Sequence, residues 1–185
     1  KAATVLNIDD YINSNPALFT GVASNNPAFA NNPAYQVAPY KNTGWYNQKY
    51  LPRKSETSGQ VELNYLNNFR TIRYAEVLLM AAEAFNRSTT PNDTKAQLYL
   101  NRVRRRAFAV NDASKDITAT GTALRQAIWD ERRLELAMEG DRFFDLVRTG
   151  QAAAKITGFA VGKHELFPIP QYEIEVSGLT QNPGY

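Results

Sequence analysis

The sequence contains no cysteine, one histidine, two tryptophans and two methionines. Without cysteine there is no disulfide, no thiolate metal site and no cysteine nucleophile, although this absence says little about compartment. The single histidine, His164, excludes a di-metal bundle site, which takes Glu-x-x-His pairs from more than one helix. It also has no nucleophile-elbow sequence to serve, so no Ser-His-Asp constellation is recognisable, and a local hydrogen bond is its expected role. There is no G-x-G-x-x-G and no P-loop. Long apolar runs are missing too: nothing approaches the ~18 residues of a membrane span. Charge of one sign is scarce, since 21 Lys and Arg stand against 18 Asp and Glu for a net +3. That balance, well interspersed, points to neither nucleic acid nor an anionic membrane. The opening "KAATVLNIDDYINSNP" has no signal h-region and no initiating Met, so the chain reads as processed or as a piece of something longer.

A chain of 185 residues is long enough for one domain with a sizeable core. Its first third, 1–69, is rich in Asn, Pro, Gly and Tyr. "NNPAFANNPAY" and "YKNTGWYNQKY" are turn-prone, with a short helix expected near residues 8–13 and otherwise ordered loops and short strands. From residue 70 the pattern becomes helical. "RTIRYAEVLLMAAEAFNR" predicts a helix with Tyr74, Leu78, Ala81 and Phe85 on one stripe. Its polar strip is narrow, holding Glu76 and Glu83, so burial nearly all round is expected. "STTPND" breaks it, and Asp93 is the expected N-cap of a second helix carrying Ala96, Leu100, Val103 and Ala107. The pair forms an antiparallel hairpin of about tetratricopeptide length. Thr122 is the expected cap of a third helix, ended or kinked at Gly140 and continuing to Gly150. In the tail, "FPIP" enforces extended backbone, "QYEI" allows a helical turn and "NPGY" signals a type II turn. The fold class is therefore mainly α. It comprises a tetratricopeptide-like helical hairpin, further helices, a loop-rich N-terminal third and an extended C-terminal tail, with regions 1–69 and 70–185.

The third helix breaks a rule. At about 100° per residue, Leu124, Ala127, Ile128, Leu134 and Met138 share a face, and Glu131 and Glu135 fall inside it. Carboxylates are rarely buried unless paired. At i and i+4 they stand about 5–6 Å apart, a separation found in retaining glycosidases. Those enzymes, however, need carboxyls on opposite sides of a scissile bond in an open cleft. Two side by side on a packed face are better read as scaffolding neutralised by arginines: Arg132 and Arg142 nearby, or Arg70, Arg73 and Arg104 from other helices. The one basic cluster, "NRVRRRAF" at 101–108, supplies such partners better than it makes a phosphate site. No catalytic residue, metal or cofactor is expected.

The aromatics are a different matter. Tyr35, Tyr40, Trp45, Tyr46, Tyr50 and Tyr65 lie in the first third, with Asn and Lys between them. Aromatic faces suit the C–H faces of sugars, and Asn42, Asn47 and Gln48 supply donors and acceptors for hydroxyls. Gly44 allows an unusual backbone angle beside Trp45. The candidate ligand-binding set is Trp45, Tyr46, Tyr40, Tyr50, Asn42 and Asn47; the alternative is that these rings only cover the helices.

Five stretches occur in a distinctive order: "RYAEVLLMAAEAFNR", "LNRVRRRAF", "ERRLELAMEGDRFFDLVRTG", "LFPIPQYEI" and "LTQNPGY". Together they closely resemble the C-terminal part of the SusD/RagB family, over about residues 70–185, whereas 1–70 fit by general character alone. The resemblance implies a helical, tetratricopeptide-containing, lipid-anchored protein of the outer membrane, exposed at the cell surface. Such proteins cap a SusC-like TonB-dependent transporter and capture glycans, or in some members peptides, without catalysis. Family members are more than twice this long and carry a signal peptide, a lipobox cysteine and tetratricopeptide helices mainly in the N-terminal half. The chain thus resembles a C-terminal portion, its membrane link being a lipid anchor on the missing part. Glu131, Arg132, Arg133, Glu135, Glu139, Gly140, Asp141, Arg142 and Asp145 match the family pattern, where they look structural. The competing reading is a helical module that binds peptide or protein and no sugar; a glycoside hydrolase comes third.

Overall fold

The computed structural model describes residues 5–7, 45–50 and 69–185, with 5–7, 45 and 46 described in backbone only. The helix expected near residues 8–13 lies outside them. Two compact units divide the chain, Lys1–Arg73 and Tyr74–Tyr185.

In the first unit, strands β1 (Val5–Asn7) and β2 (Trp45–Asn47) pair antiparallel, with Val5 opposite Asn47, Leu6 opposite Tyr46 and Asn7 opposite Trp45. A 3-10 turn, Gln48–Tyr50, follows at once. Asn47 starts it, its Oδ1 accepting from the Lys49 N–H at 3.0 Å, which is what a short amide side chain does where a chain turns.

The second unit is helical: α1 (Tyr74–Arg87), α2 (Asp93–Phe108), α3 (Gly121–Glu135), α4 (Arg142–Arg148), α5 (Ala152–Lys155) and α6 (Gln171–Ser177). The hairpin read from the sequence is present. The end of α1 meets the start of α2, where Phe85 stacks on Tyr99, while Arg102 lies over the ring of Tyr74 at the other end. Helix α3 runs alongside, its start at Asn86 of α1 and its end near Glu76. Leu78, Leu79 and Ala82 of α1, Ala96, Leu100 and Val103 of α2, and Leu124 and Ile128 of α3 form one core. Burying each of its large side chains is worth about 1.5–3 kcal/mol.

Several boundaries and faces differ from expectation. Helix α1 starts at Tyr74 and not residue 70. The buried stripe is Leu78, Leu79, Ala82, Glu83 and Asn86, whereas Tyr74 is 65% exposed and Val77 and Met80 face outward. Glu83, expected on the polar strip, is therefore inside. Asn92, not Asp93, caps α2, its side chain accepting from the Lys95 N–H. Asp93 is occupied differently: one oxygen accepts from Asn86 Nδ2 at 2.9 Å and the other from the Gly121 N–H at 2.6 Å, tying three helices together. Ala107 is exposed. Thr122 lies inside α3, whose N-cap is Thr120. The helix also stops at Glu135, before Gly140, which has φ +102° in the turn leading to α4. Leu134 and Met138 consequently leave the expected stripe, at 64% and 50% exposed, and Leu136 is buried in their place. A wheel that assumes an unbroken helix carries the phase past the point where the backbone turns.

Residues 110–120 are strapped to α2 by its polar side chains. Asn101 pairs with the backbone of Ile117 in both directions, at 3.0 and 2.8 Å, and Gln97 donates to Thr118 and Ala119. The tail closes on itself in the same way. Gln181 pairs with both backbone groups of Ile169, Asn182 donates to the Phe167 carbonyl, and the Tyr185 hydroxyl donates to Leu166. The two tail stretches quoted above thus hold each other, and "QYEI" extends into the two turns of α6.

Candidate functional site

Two sets of side chains carry the expectations: the aromatic segment of the first unit and the charged helices of the second. In the first unit Trp45 and Tyr46 occupy β2 opposite Asn7 and Leu6. Tyr50 is half-buried and stacks on Phe69, with ring centroids 5.6 Å apart and planes at 13°. Arg70 reaches the Lys49 carbonyl at 3.2 Å, closing the same turn. Asn47 uses its side-chain oxygen on the turn. Tyr40 and Asn42 lie outside the described residues.

In the second unit the buried carboxylates are all met by arginines. Glu131 accepts from Arg104 Nη1 at 2.6 Å, and Glu135 pairs with Arg106 at 2.5 Å. Arg105 takes Asp116, holding that carboxyl below the usual range, first through its hydrogen bond and then through its charge. The basic cluster is thus a set of carboxylate partners, as its sequence setting indicated. Arg132 lies within α3 and reaches the other way: its Nε donates to both oxygens of Asp145 at 3.1 and 2.9 Å, and its Nη2 stands 3.6 Å from Glu76. Among the described residues Arg142 forms no ion pair.

Where α1, α3 and α4 meet, Glu83 accepts from Arg148 through both oxygens at 2.9 Å and from Arg87 at 2.8 Å. Arg148 also joins Asp145, three residues before it on α4. Burial pushes the Glu83 carboxyl up, but Arg148, the nearby Trp129 indole and Arg87 outweigh it, and its pKa falls to about 2. The Trp129 N–H contributes without completing a well-formed hydrogen bond. The same contact with Glu83 pushes the Arg148 guanidinium up against the opposing effect of burial. A carboxylate held at about 2 cannot exchange protons near neutrality, as a general acid or base must. His164 accepts from the Ala160 N–H at 2.9 Å and lies edge-on to Phe159, a local role. Among the described residues no three His, Asp or Glu side chains gather as metal ligands would.

Sequence reasoning missed Glu83, Arg148 and Arg106. A signal for Glu83 was present, since Leu79, Ala82, Glu83 and Asn86 fall at i, i+3, i+4 and i+7. Arg148 follows Asp145 at the i+3 spacing at which helix side chains meet.

Comparison with known proteins agrees with the helical motifs. SusD-like protein P25 of Formosa agariphila is 41% identical over 87 residues, covering 47% of this chain and 16% of its own. SusD-like protein P2 of the same organism is 33% identical over 121 residues, or 63% and 23%. SusD-like protein P38, also from it, is 40% identical over 90 residues, or 46% and 18%. This chain therefore spans less than a quarter of the length of each. No solved structure matches it. A family model, that of the SusD family, matches residues 21–165. That span differs from the stretch on which the resemblance was read: it takes in much of the aromatic first third, and it ends at residue 165, before the two tail stretches. With more than half the chain matched, on a helical unit built from the motifs quoted above, the chain belongs to the SusD family.

Proposed function

We propose that this chain is part of a cell-surface, lipid-anchored protein that captures oligosaccharide and delivers it to a SusC-like TonB-dependent transporter in the outer membrane. The observation that carries the reading is the family match over residues 21–165, which includes the Asn- and Tyr-rich stretch around Trp45. Binding residues commonly lie on loops, and this aromatic set stands in the loop-rich first third of the sequence. Trp45, Tyr46 and Tyr40, with Asn42 and Asn47 beside them, are the proposed ligand-contacting set; Tyr50 backs the same turn through its stack on Phe69. Glu131, Glu135, Arg132 and Asp145 act as scaffold, because each is tied to a partner on another segment of the helical unit. We read the binding as being without turnover, because among the described residues the buried carboxylates Glu83, Glu131 and Asp145 are each paired with a guanidinium.

Affinity electrophoresis through gels containing defined polysaccharides tests this. Sugar-specific retardation is the expected result. Binding of peptides alone would favour the helical peptide-binding reading. Shortened oligosaccharides in chromatography after incubation would overturn capture without hydrolysis.

A further inference from the structure

Histidine is the side chain that ordinarily gains a proton between about pH 8 and 5, and the sequence has one, His164. It stands in the turn that joins α5 to the tail, and two bonds close that turn. The His164 Nδ1 accepts from the Ala160 N–H at 2.9 Å, and the His164 N–H donates to the Ala160 carbonyl at 3.0 Å. Among the described residues the Ala160 N–H meets no other acceptor. To accept, Nδ1 must carry a lone pair, so the imidazole here is neutral with its proton on Nε2. An imidazolium has a proton on both nitrogens and would set donor against donor.

We propose that His164 is a pH-responsive latch: neutral, it holds the turn against the C-terminal residues, and on taking a proton it releases them.

The link to the tail is Lys163. Its ammonium lies over the Tyr185 ring, 4.6 Å from the centroid. Its stem passes so close to Gly184 that a Cβ there would stand 3.1 Å from Lys163 Cγ and Cδ. The Lys163 N–H donates to the same Ala160 carbonyl at 3.3 Å, so its seat depends on the turn that His164 closes. Tyr185 in turn donates its hydroxyl to Leu166, one of the bonds that close the tail.

The charged neighbours on the turn are Lys163 itself and Glu165, whose carboxylate accepts from the Gly162 N–H at 2.8 Å. Phe159, against which the imidazole lies edge-on, brings no charge. These contacts are few and lie near the surface, so one hydrogen bond is a sizeable part of what keeps the turn shut. The sign follows from the neutral acceptor: the closed form is favoured at high pH and is lost as pH falls through the histidine range. The latch stands whether or not the chain binds glycan.

Nuclear magnetic resonance on the whole chain between pH 8 and 5 tests it. Protection of the Ala160 amide, relative to the free-peptide rate at each pH, should fall by about three- to tenfold as the imidazole protonates, the scale of one hydrogen bond. The Lys163 side-chain resonances, shifted by the Tyr185 ring, should move towards free-lysine values with the same midpoint. His164→Asn places a non-titrating acceptor oxygen near the Nδ1 position and should stay closed at both ends. His164→Ala should show at pH 8 the Lys163 resonances that the parent shows at pH 5. An unchanged Trp129 indole resonance throughout reports that the helical unit is intact. Ala160 and Lys163 signals that do not follow the imidazole, or a response that persists in His164→Asn, overturn the latch. A change at Ala160 with Lys163 still seated on Tyr185 overturns release of the tail.

Discussion

Asp145→Ala should be the most damaging single change in the helical unit. The carboxylate takes both bonds from Arg132 Nε and a third from Arg148 Nε at 2.8 Å. Arg148 survives its loss, because it keeps Glu83 and is partly in solvent. Arg132 does not: it is 6% exposed, its Nη1 already lacks a partner, and only Glu76 at 3.6 Å would remain. Stranding a buried charge in this way costs about 3–5 kcal/mol. Glu135→Ala provides the contrast. From sequence it is an equally costly buried carboxylate, but its partner Arg106 is 60% exposed and is solvated once released. Its loss should therefore cost about 1 kcal/mol or less, the scale of an exposed pair. Urea unfolding followed by Trp129 fluorescence, in a Trp45→Phe background that removes the second tryptophan, measures both in one unit. The slope with denaturant must stay constant for the comparison to hold. A loss below about 1 kcal/mol for Asp145→Ala, or equal losses for the two variants, refutes the argument that the partner's exposure sets the cost. Arg132→Met combined with Asp145→Leu should recover most of the loss, since an apolar pair strands no charge.

Glu83 makes stability depend on pH. Its carboxyl falls from 4.5 to about 2 on folding, so its contribution is complete above about 4.5 and is lost as pH drops towards 2. The stability gap between the parent and Glu83→Gln should hold steady at neutral pH and narrow through that window, as melts across pH will show. Ala109 closes α2 with φ 55°, a left-handed conformation that suits glycine, so Ala109→Gly should raise stability by about 0.5–1 kcal/mol in the same urea assay. Trp45→Ala should weaken glycan binding by about 1–3 kcal/mol in calorimetry if the ring is a contact. An unchanged affinity with a stability loss of about 3–5 kcal/mol would make it a core residue.

Local patterns in this chain determine what depends on neighbours along the backbone. The period of "RYAEVLLMAAEAFNR" and "LNRVRRRAF", the break at "STTPND" and the "FPIP" extension were enough to state a helical hairpin, a third helix and an extended tail, whereas the closing of that tail on itself rests on the bonds of Gln181, Asn182 and Tyr185 to residues 166–169. Burial of Glu131 followed from its place beside Leu124 and Ile128, at i+7 and i+3 on the same face, and arginine pairing followed from the cost of burying it. What only the tertiary structure decided was which arginine goes where. Three consecutive arginines, Arg104, Arg105 and Arg106, diverge to Glu131, Asp116 and Glu135, because each points about 100° further round α2 and meets a different segment. The depth of Glu83 was likewise settled by the packing of α3 and α4 against α1, which turns one side of a nearly all-apolar helix inward and leaves Tyr74, Val77 and Met80 outside. Periodicity reports that a helix has faces; which face is covered depends on the helices that arrive, and those contacts are set by residues far apart in the chain.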